Sequence, residues 1–207
     1  MVNNMVMTAT VLYGFLSVAL LALSRAVYFT SIFRGRTKPH AFSWLIWAAI
    51  SIIGFAAQFA EGAGPGSWAR GFSAVTCAML AVLGYFKGEK NITRGDWLTL
   101  LAALSAVPLW IITKTPVWSV IIVCIIDITG YFPTVRKSWH KPDDESSSSY
   151  FIATLCAFFS LFAIEHYTVS TWLYPALLVF SNSALAVYLL IRRKVLSKRS
   201  QPPFRGF

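Results

Sequence analysis

The chain has 207 residues, of which 57% are apolar and only 13% charged, and its mean hydropathy is +0.62. A soluble domain carries about 25% charged residues, so the composition excludes an ordinary soluble fold and points to a membrane protein. The net charge of +10 does not indicate a nucleic-acid partner, because Lys and Arg fall in short clusters between apolar runs and not on one continuous patch.

Seven stretches approach the roughly 20 apolar residues that a bilayer core of about 30 Å requires. They run from Thr8 to Phe33, Phe42 to Ala60, Ser67 to Phe86, Trp97 to Ile112, Val117 to Val135, Tyr150 to Glu165 and Trp172 to Ile191. The first has no basic region ahead of it, so it is expected to remain as a helix and not to be cleaved as a signal peptide. Basic clusters follow the first, third, fifth and seventh stretches, while Lys114 stands nearly alone in the other loops. Cytoplasmic loops accumulate Lys and Arg, which predicts the N-terminus outside and the C-terminus cytoplasmic, in a bacterial-type plasma membrane. On that topology the glycosylation-like Asn91-Ile92-Thr93 faces the cytoplasm. Trp44, Trp68, Trp97, Trp118 and Trp172 near helix starts, and Trp110 near a helix end, read as an interfacial belt. The basic segment from Arg192 to Arg205 reads as a disordered juxtamembrane tail drawn to anionic lipid.

The chain also repeats itself. Tyr28-Phe29 recurs as Tyr131-Phe132, Lys38-Pro39 as Lys141-Pro142, Phe59-Ala60 as Phe162-Ala163 and Tyr85 as Tyr188, all at an offset of 103. The expected architecture is therefore all-α: a first three-helix repeat over 8–86, a linker transmembrane helix over 97–112, a second repeat over 117–191 and a basic tail over 192–207. A three-helix unit reverses direction, so the extra crossing returns the second copy to the same orientation, as in parallel-repeat transporters.

This three-plus-one-plus-three layout, together with Pro133 in Tyr131-Phe132-Pro133-Thr134 and the following Arg136-Lys137-Ser138-Trp139, resembles the PQ-loop superfamily. That group includes the SWEET sugar transporters, cystinosin-type exporters and KDEL receptors. Thr134 stands at the Gln position of the Pro-Gln pair, and Thr30 at the Pro position of the first repeat. The resemblance implies a central site between two triple-helix bundles that rock about it.

Asp127 lies nine residues before Arg136, and Arg25 nine before Arg34, which at 1.5 Å per residue places both about 13 Å in from the cytoplasmic boundary. Ionisable groups at that depth are costly and face the interior. Three readings stand open: a structural ion pair, an anion held by Arg25 with Asp127 as counter-ion or proton carrier, or a snorkelling Arg25. Asn182 corresponds to a substrate-contacting Asn in SWEET-like proteins, or serves as an interhelical hydrogen bond. Trp47, its repeat mate Tyr150, Tyr131 and Thr76 complete the candidate binding set, with Gln58 as a weaker polar candidate. Pro133 and Pro175 are candidate hinges, or static kinks. Glu61 and Arg70 are placed to pair across the Gly-rich outer turn. Cys77, Cys124 and Cys156 have no metal-ligand spacing, and no catalytic motif occurs. The expectation is a transporter of a small polar or anionic metabolite, not an enzyme, with no cofactor or metal and with homo-oligomerisation left open; the competing class is a non-transporting heptahelical receptor.

Overall fold

The computed structural model describes residues 2–89, 92–113 and 116–200, and every regular element among them is helical. Helix α1 spans Val2–Phe33, α2 Ala41–Ala60, α3 Trp68–Lys87, α4 Arg94–Thr113, α5 Pro116–His140, α6 Ser147–Phe162 and α7 Val169–Ser200, with 3-10 turns at Gly64–Ser67 and Pro142–Asp144. Four stretches, Met7–Phe33, Ala41–Ala60, Gly64–Lys87 and Val169–Ser197, are long and apolar enough to cross a bilayer. The outward surface of the helices is greasy, with Leu12, Phe15, Ile52, Val75 and Ile125 all more than half exposed. The interior is mixed, with Ile46, Ile50, Leu80 and Leu189 buried alongside Ser17, Ser24, Ser43, Ser51 and Gln58, so polar side chains are drawn inward while the outer surface stays apolar, as lipid requires.

Helix ends follow from local chemistry. Chain reversal after α1 uses Gly35 at φ 70°, whose amide donates to the Ile32 carbonyl in a conformation that side chains resist. The Ser-rich segment starts α6 at Ser147, three residues before the predicted Tyr150. The helix then ends at Phe162 and not Glu165, because the Ala163 and Ile164 amides tighten onto the Ser160 and Leu161 carbonyls. Pro133, Pro108 and Pro175 all lie inside helices that run on past them, so none terminates its helix. The predicted disorder from Arg192 is also corrected: α7 continues to Ser200. Arg192 stacks 3.8 Å from the Trp139 ring centroid, and Arg193 pairs with Asp143 at 3.1 Å and donates to Ser147 Oγ at 3.0 Å. Residues 201–207, with Arg205, lie outside the described residues, as do Lys90, Asn91 and Lys114.

Packing pairs α1 with α3 and α6, α2 with α3 and α5, and α7 with α5 and α6, while α4 lies against α2 and α5. Close approach is bought by small residues. A Cβ at Gly14 would sit 2.6 Å from Pro65, so α1 can pass the 3-10 turn only with Gly there. Along the α1–α6 seam, Ser24 Oγ donates to the Ser149 carbonyl at 2.7 Å and Ser149 Oγ to the Ser24 carbonyl at 2.9 Å, the kind of interhelical bond worth about 0.6–2 kcal/mol in lipid.

Burial follows the offset of 103 through two helix pairs. Leu21, Ser24 and Tyr28 are buried, as are Cys124, Asp127 and Tyr131; Trp47, Ile50 and Ile53 are buried, as are Tyr150, Ala153 and Cys156. The third pair departs from it: Met79 is 52% exposed where Asn182 is buried. Ser73, Cys77 and Gly84 instead match Tyr174, Leu178 and Leu185, two residues earlier. Part of the reason is the connection before α3, where the turn at Gly64–Ser67 has no counterpart before α7.

Candidate functional site

A cavity opens between the helices, and its lining comes from six of them. Leu21 and Arg25 come from α1, Trp44, Trp47, Ser51 and Gln58 from α2, Arg70, Ser73 and Cys77 from α3, Asp127 and Tyr131 from α5, Tyr150 from α6, and Tyr174, Pro175 and Asn182 from α7.

One wall is cationic. The Arg25 guanidinium lies 4.9 Å over the Trp44 ring and donates to Thr76 Oγ1 at 3.3 Å and weakly to Cys77 Sγ at 3.6 Å. Arg70 stacks 4.2 Å from the Tyr174 ring and donates to Ser51 Oγ at 3.4 Å. Ser51 donates to Ser73 at 3.3 Å, and Ser73 meets Cys77 at 3.5 Å, so a polar strip joins the two guanidiniums along α2 and α3. Neither has a carboxylate within salt-bridge distance among the described residues.

The facing wall holds the acid. Asp127 is 1% exposed and accepts from Tyr174 Oη at 3.3 Å and from Ser181 Oγ at 3.5 Å. The single Ser181 hydroxyl proton has Tyr131 Oη as an alternative acceptor at 3.2 Å, and Tyr131 donates to Asn182 Oδ1 at 3.1 Å. Two long neutral hydrogen bonds leave this carboxylate under-compensated for its depth. Three further buried groups lack partners, namely Trp47 Nε1, Gln58 Oε1 and Arg70 Nε, and all three residues line the cavity.

The end bearing the α1–α2 and α5–α6 connections is closed by two layers. The first is a chain of rings from Tyr150 through Tyr28, Trp44 and Trp47 to Tyr131, with centroid spacings of 6.1, 4.9, 5.0 and 4.8 Å. Beyond it, Lys137 Nζ donates to Glu145 Oε1 and to the Lys38 carbonyl, while Glu145 Oε2 accepts from Tyr28 at 2.8 Å and Tyr150 at 3.3 Å.

Beside that layer, Asp96 in the first turn of α4 accepts from Arg136 at 2.8 Å and from the Thr93 amide at 2.7 Å. Burial pushes its carboxyl up, but the Arg136 and Thr93 bonds outweigh burial and hold it below the ordinary value. His40 packs 3.6 Å from the same carboxylate, and its burial, offset only in part by Asp96, pushes the imidazole down to about 4. The unfolded chain therefore binds the extra proton between about pH 6.5 and 4, so acidification through that window removes stability on the order of 3 kcal/mol. His40→Asn should flatten the fall in melting temperature between pH 6.5 and 5; an unchanged slope would show that His40 is not its source.

The cavity gathers Arg25, Trp47, Asp127, Tyr131, Tyr150 and Asn182 from the predicted set, with Pro175 at its edge and Thr76 behind Arg25 as its hydrogen-bond acceptor. Pro133 lies outside its lining. Of the three open readings of Arg25 and Asp127, the direct ion pair does not form: no salt bridge joins them, and each has other partners. Two expectations are corrected. Arg70 does not join Glu61 across the outer turn but turns inward onto Tyr174. Trp44, read as interfacial, is 1% exposed inside the ring chain, whereas Trp68, Trp97, Trp118 and Trp172 are exposed as a belt requires. The side chain of Trp110 lies outside the described residues. Reasoning from sequence missed Arg70, Tyr174 and the Lys137–Glu145 pair; the signal for Arg70 was its place three residues into an apolar helix, one turn before Ser73. No protein-family model, curated protein or solved structure matches the chain.

Proposed function

We propose that this protein is a seven-span membrane transporter, with its N-terminus outside and C-terminus in the cytoplasm, that moves a small anionic metabolite by alternating access around the central cavity. The observation that carries the reading is the pair of guanidiniums, Arg25 and Arg70, facing one cavity with no carboxylate within salt-bridge distance among the described residues. Buried charge in a low-dielectric interior demands compensation. Two cations face a single carboxylic acid, Asp127, so the lining is net positive whether or not that acid is ionised, and an anionic ligand offsets the excess. Arginine's planar fork suits a carboxylate or phosphate, and Trp47 Nε1 offers one more donor.

Support for two parallel three-helix repeats comes from the packing pairs: α1–α6 mirrors α5–α2, and α2–α3 mirrors α6–α7. In this reading the ring chain and the Lys137–Glu145 layer form the cytoplasmic gate, and Pro133 and Pro175 absorb the rocking motion. The test is a thermal-shift screen of anions and neutral sugars, followed by flux in proteoliposomes. A bound anion at a hundredfold excess over its Kd should add about 2.7 kcal/mol of stability and be carried into the vesicles. Binding without flux would identify a receptor, and binding of neutral sugars alone would overturn the anion reading. Asp127→Asn is expected to reduce uptake or abolish its pH dependence; unchanged uptake with an unchanged pH profile would remove Asp127 from the mechanism.

A further inference from the structure

A second polar concavity lies away from the cavity, at the end bearing the α1–α2 connection, between the last turns of α1 and the beginning of α6. It is lined by Thr30, Ser31, Arg34, Arg36, Ser146 and Ser148, with Ala26 and Val27 on its membrane side. Its counterpart on the other half of the bundle is the flank of α5 and α2, where α4 packs and supplies the Asp96 carboxylate to Arg136. Among the described residues no helix plays that part for α1 and α6. Arg34 and Arg36 are both exposed, and no described carboxylate lies within salt-bridge distance of either. Four hydroxyl residues share the lining with these two arginines, the Ser31 hydroxyl being hydrogen-bonded to Thr37, and Leu23 and Phe33, 51% and 63% exposed, mark the apolar outer surface of the same helix.

We infer that this groove binds the phosphate headgroup of an anionic lipid of the cytoplasmic leaflet, with Arg34 and Arg36 on the phosphate oxygens and its acyl chains along the exposed side of α1. A phosphodiester supplies a negative charge to two exposed arginines that have no described carboxylate within salt-bridge distance, and free hydroxyls add neutral donors to the same oxygens. The inference rests on the bilayer topology and not on transport, so it survives if no flux is found.

The test compares full-length protein in nanodiscs of phosphatidylcholine alone with nanodiscs that also contain phosphatidylglycerol. Native mass spectrometry should show preferential retention of phosphatidylglycerol by the wild type. Arg34→Gln with Arg36→Gln should weaken that retention about thirty-fold, from about a fivefold loss per guanidinium. A control pair on other elements, Arg94→Gln with Lys194→Gln, both exposed and outside the groove lining, removes the same charge and should leave retention unchanged. Equal loss in both pairs would reduce the effect to diffuse surface charge and overturn the site. So would equal protection of the wild type in phosphatidylcholine discs by inorganic phosphate alone. Matching melting temperatures of all variants in phosphatidylcholine show that the substitutions leave the fold intact.

Discussion

Arg25→Gln should weaken anion binding by about 2–5 kcal/mol, at least about thirty-fold in Kd, because it removes one half of a desolvated charge pair between protein and ligand. The same change should leave the empty protein at least as stable as the wild type. In the ligand-free state the half-buried Arg25 guanidinium rests on Trp44 at 4.9 Å, with Thr76 and the Cys77 thiol as acceptors and no carboxylate within salt-bridge distance among the described residues, so its removal relieves part of a desolvation cost. Arg25→Lys keeps the charge but loses the planar fork and the flat stack, and should fall between the two. Titration of the purified variants by calorimetry reads the affinity, and thermal unfolding without ligand reads the stability. A destabilised empty protein with unchanged Kd would make Arg25 a structural residue.

The largest effect on stability is expected at the closed end. Lys137 and Glu145 are nearly inaccessible, at 3% and 0% side-chain exposure. Each also has neutral partners: the Lys38 carbonyl for Lys137, and the Tyr28 and Tyr150 hydroxyls for Glu145. Lys137→Met alone leaves a buried carboxylate without its cation, and Glu145→Gln alone does the reverse; either should cost about 3–5 kcal/mol. The double variant should cost less than the sum, since neither charge is stranded. Equilibrium unfolding of the four proteins in one detergent closes the cycle, and additive losses would show that the two groups do not act as a pair. If this layer is also the gate, the single variants should expose Cys77 to a membrane-impermeant thiol reagent from the cytoplasmic side. The wild type should resist it, because Cys77 is only 1% exposed.

The membrane class, the helices and the interior placement of Asp127 could all be read from the chain. Each depends on a short-range property: apolar run length against bilayer thickness, or the cost of a charge far from a loop. Tyr150 and Trp47 were legible because the offset of 103 paired them, and both line the cavity. Asn182 was legible from its polarity alone; its mate Met79 faces outward because α7 starts two residues early relative to α3. That shift combines an α6 that ends one residue earlier than α2 in the repeat register with a connection shorter by one residue. Arg70 was misplaced because a residue near a helix start has two outlets, a solvated turn or the interior, and sequence distance to Glu61 could not decide between them.

Sequence by itself determined that this is an all-helical chain built for lipid, with charges stationed deep in its first and fifth helices, since burial of ions and length of apolar runs are costs local to each helix. Only tertiary structure decided that Arg25 and Asp127 stand on opposite walls without pairing, that Arg70 joins Arg25, and that Lys137 meets Glu145. Those outcomes depend on helix rotation and side-chain direction, which are fixed when α1 packs on α6 and α2 on α5 and are encoded in no single segment.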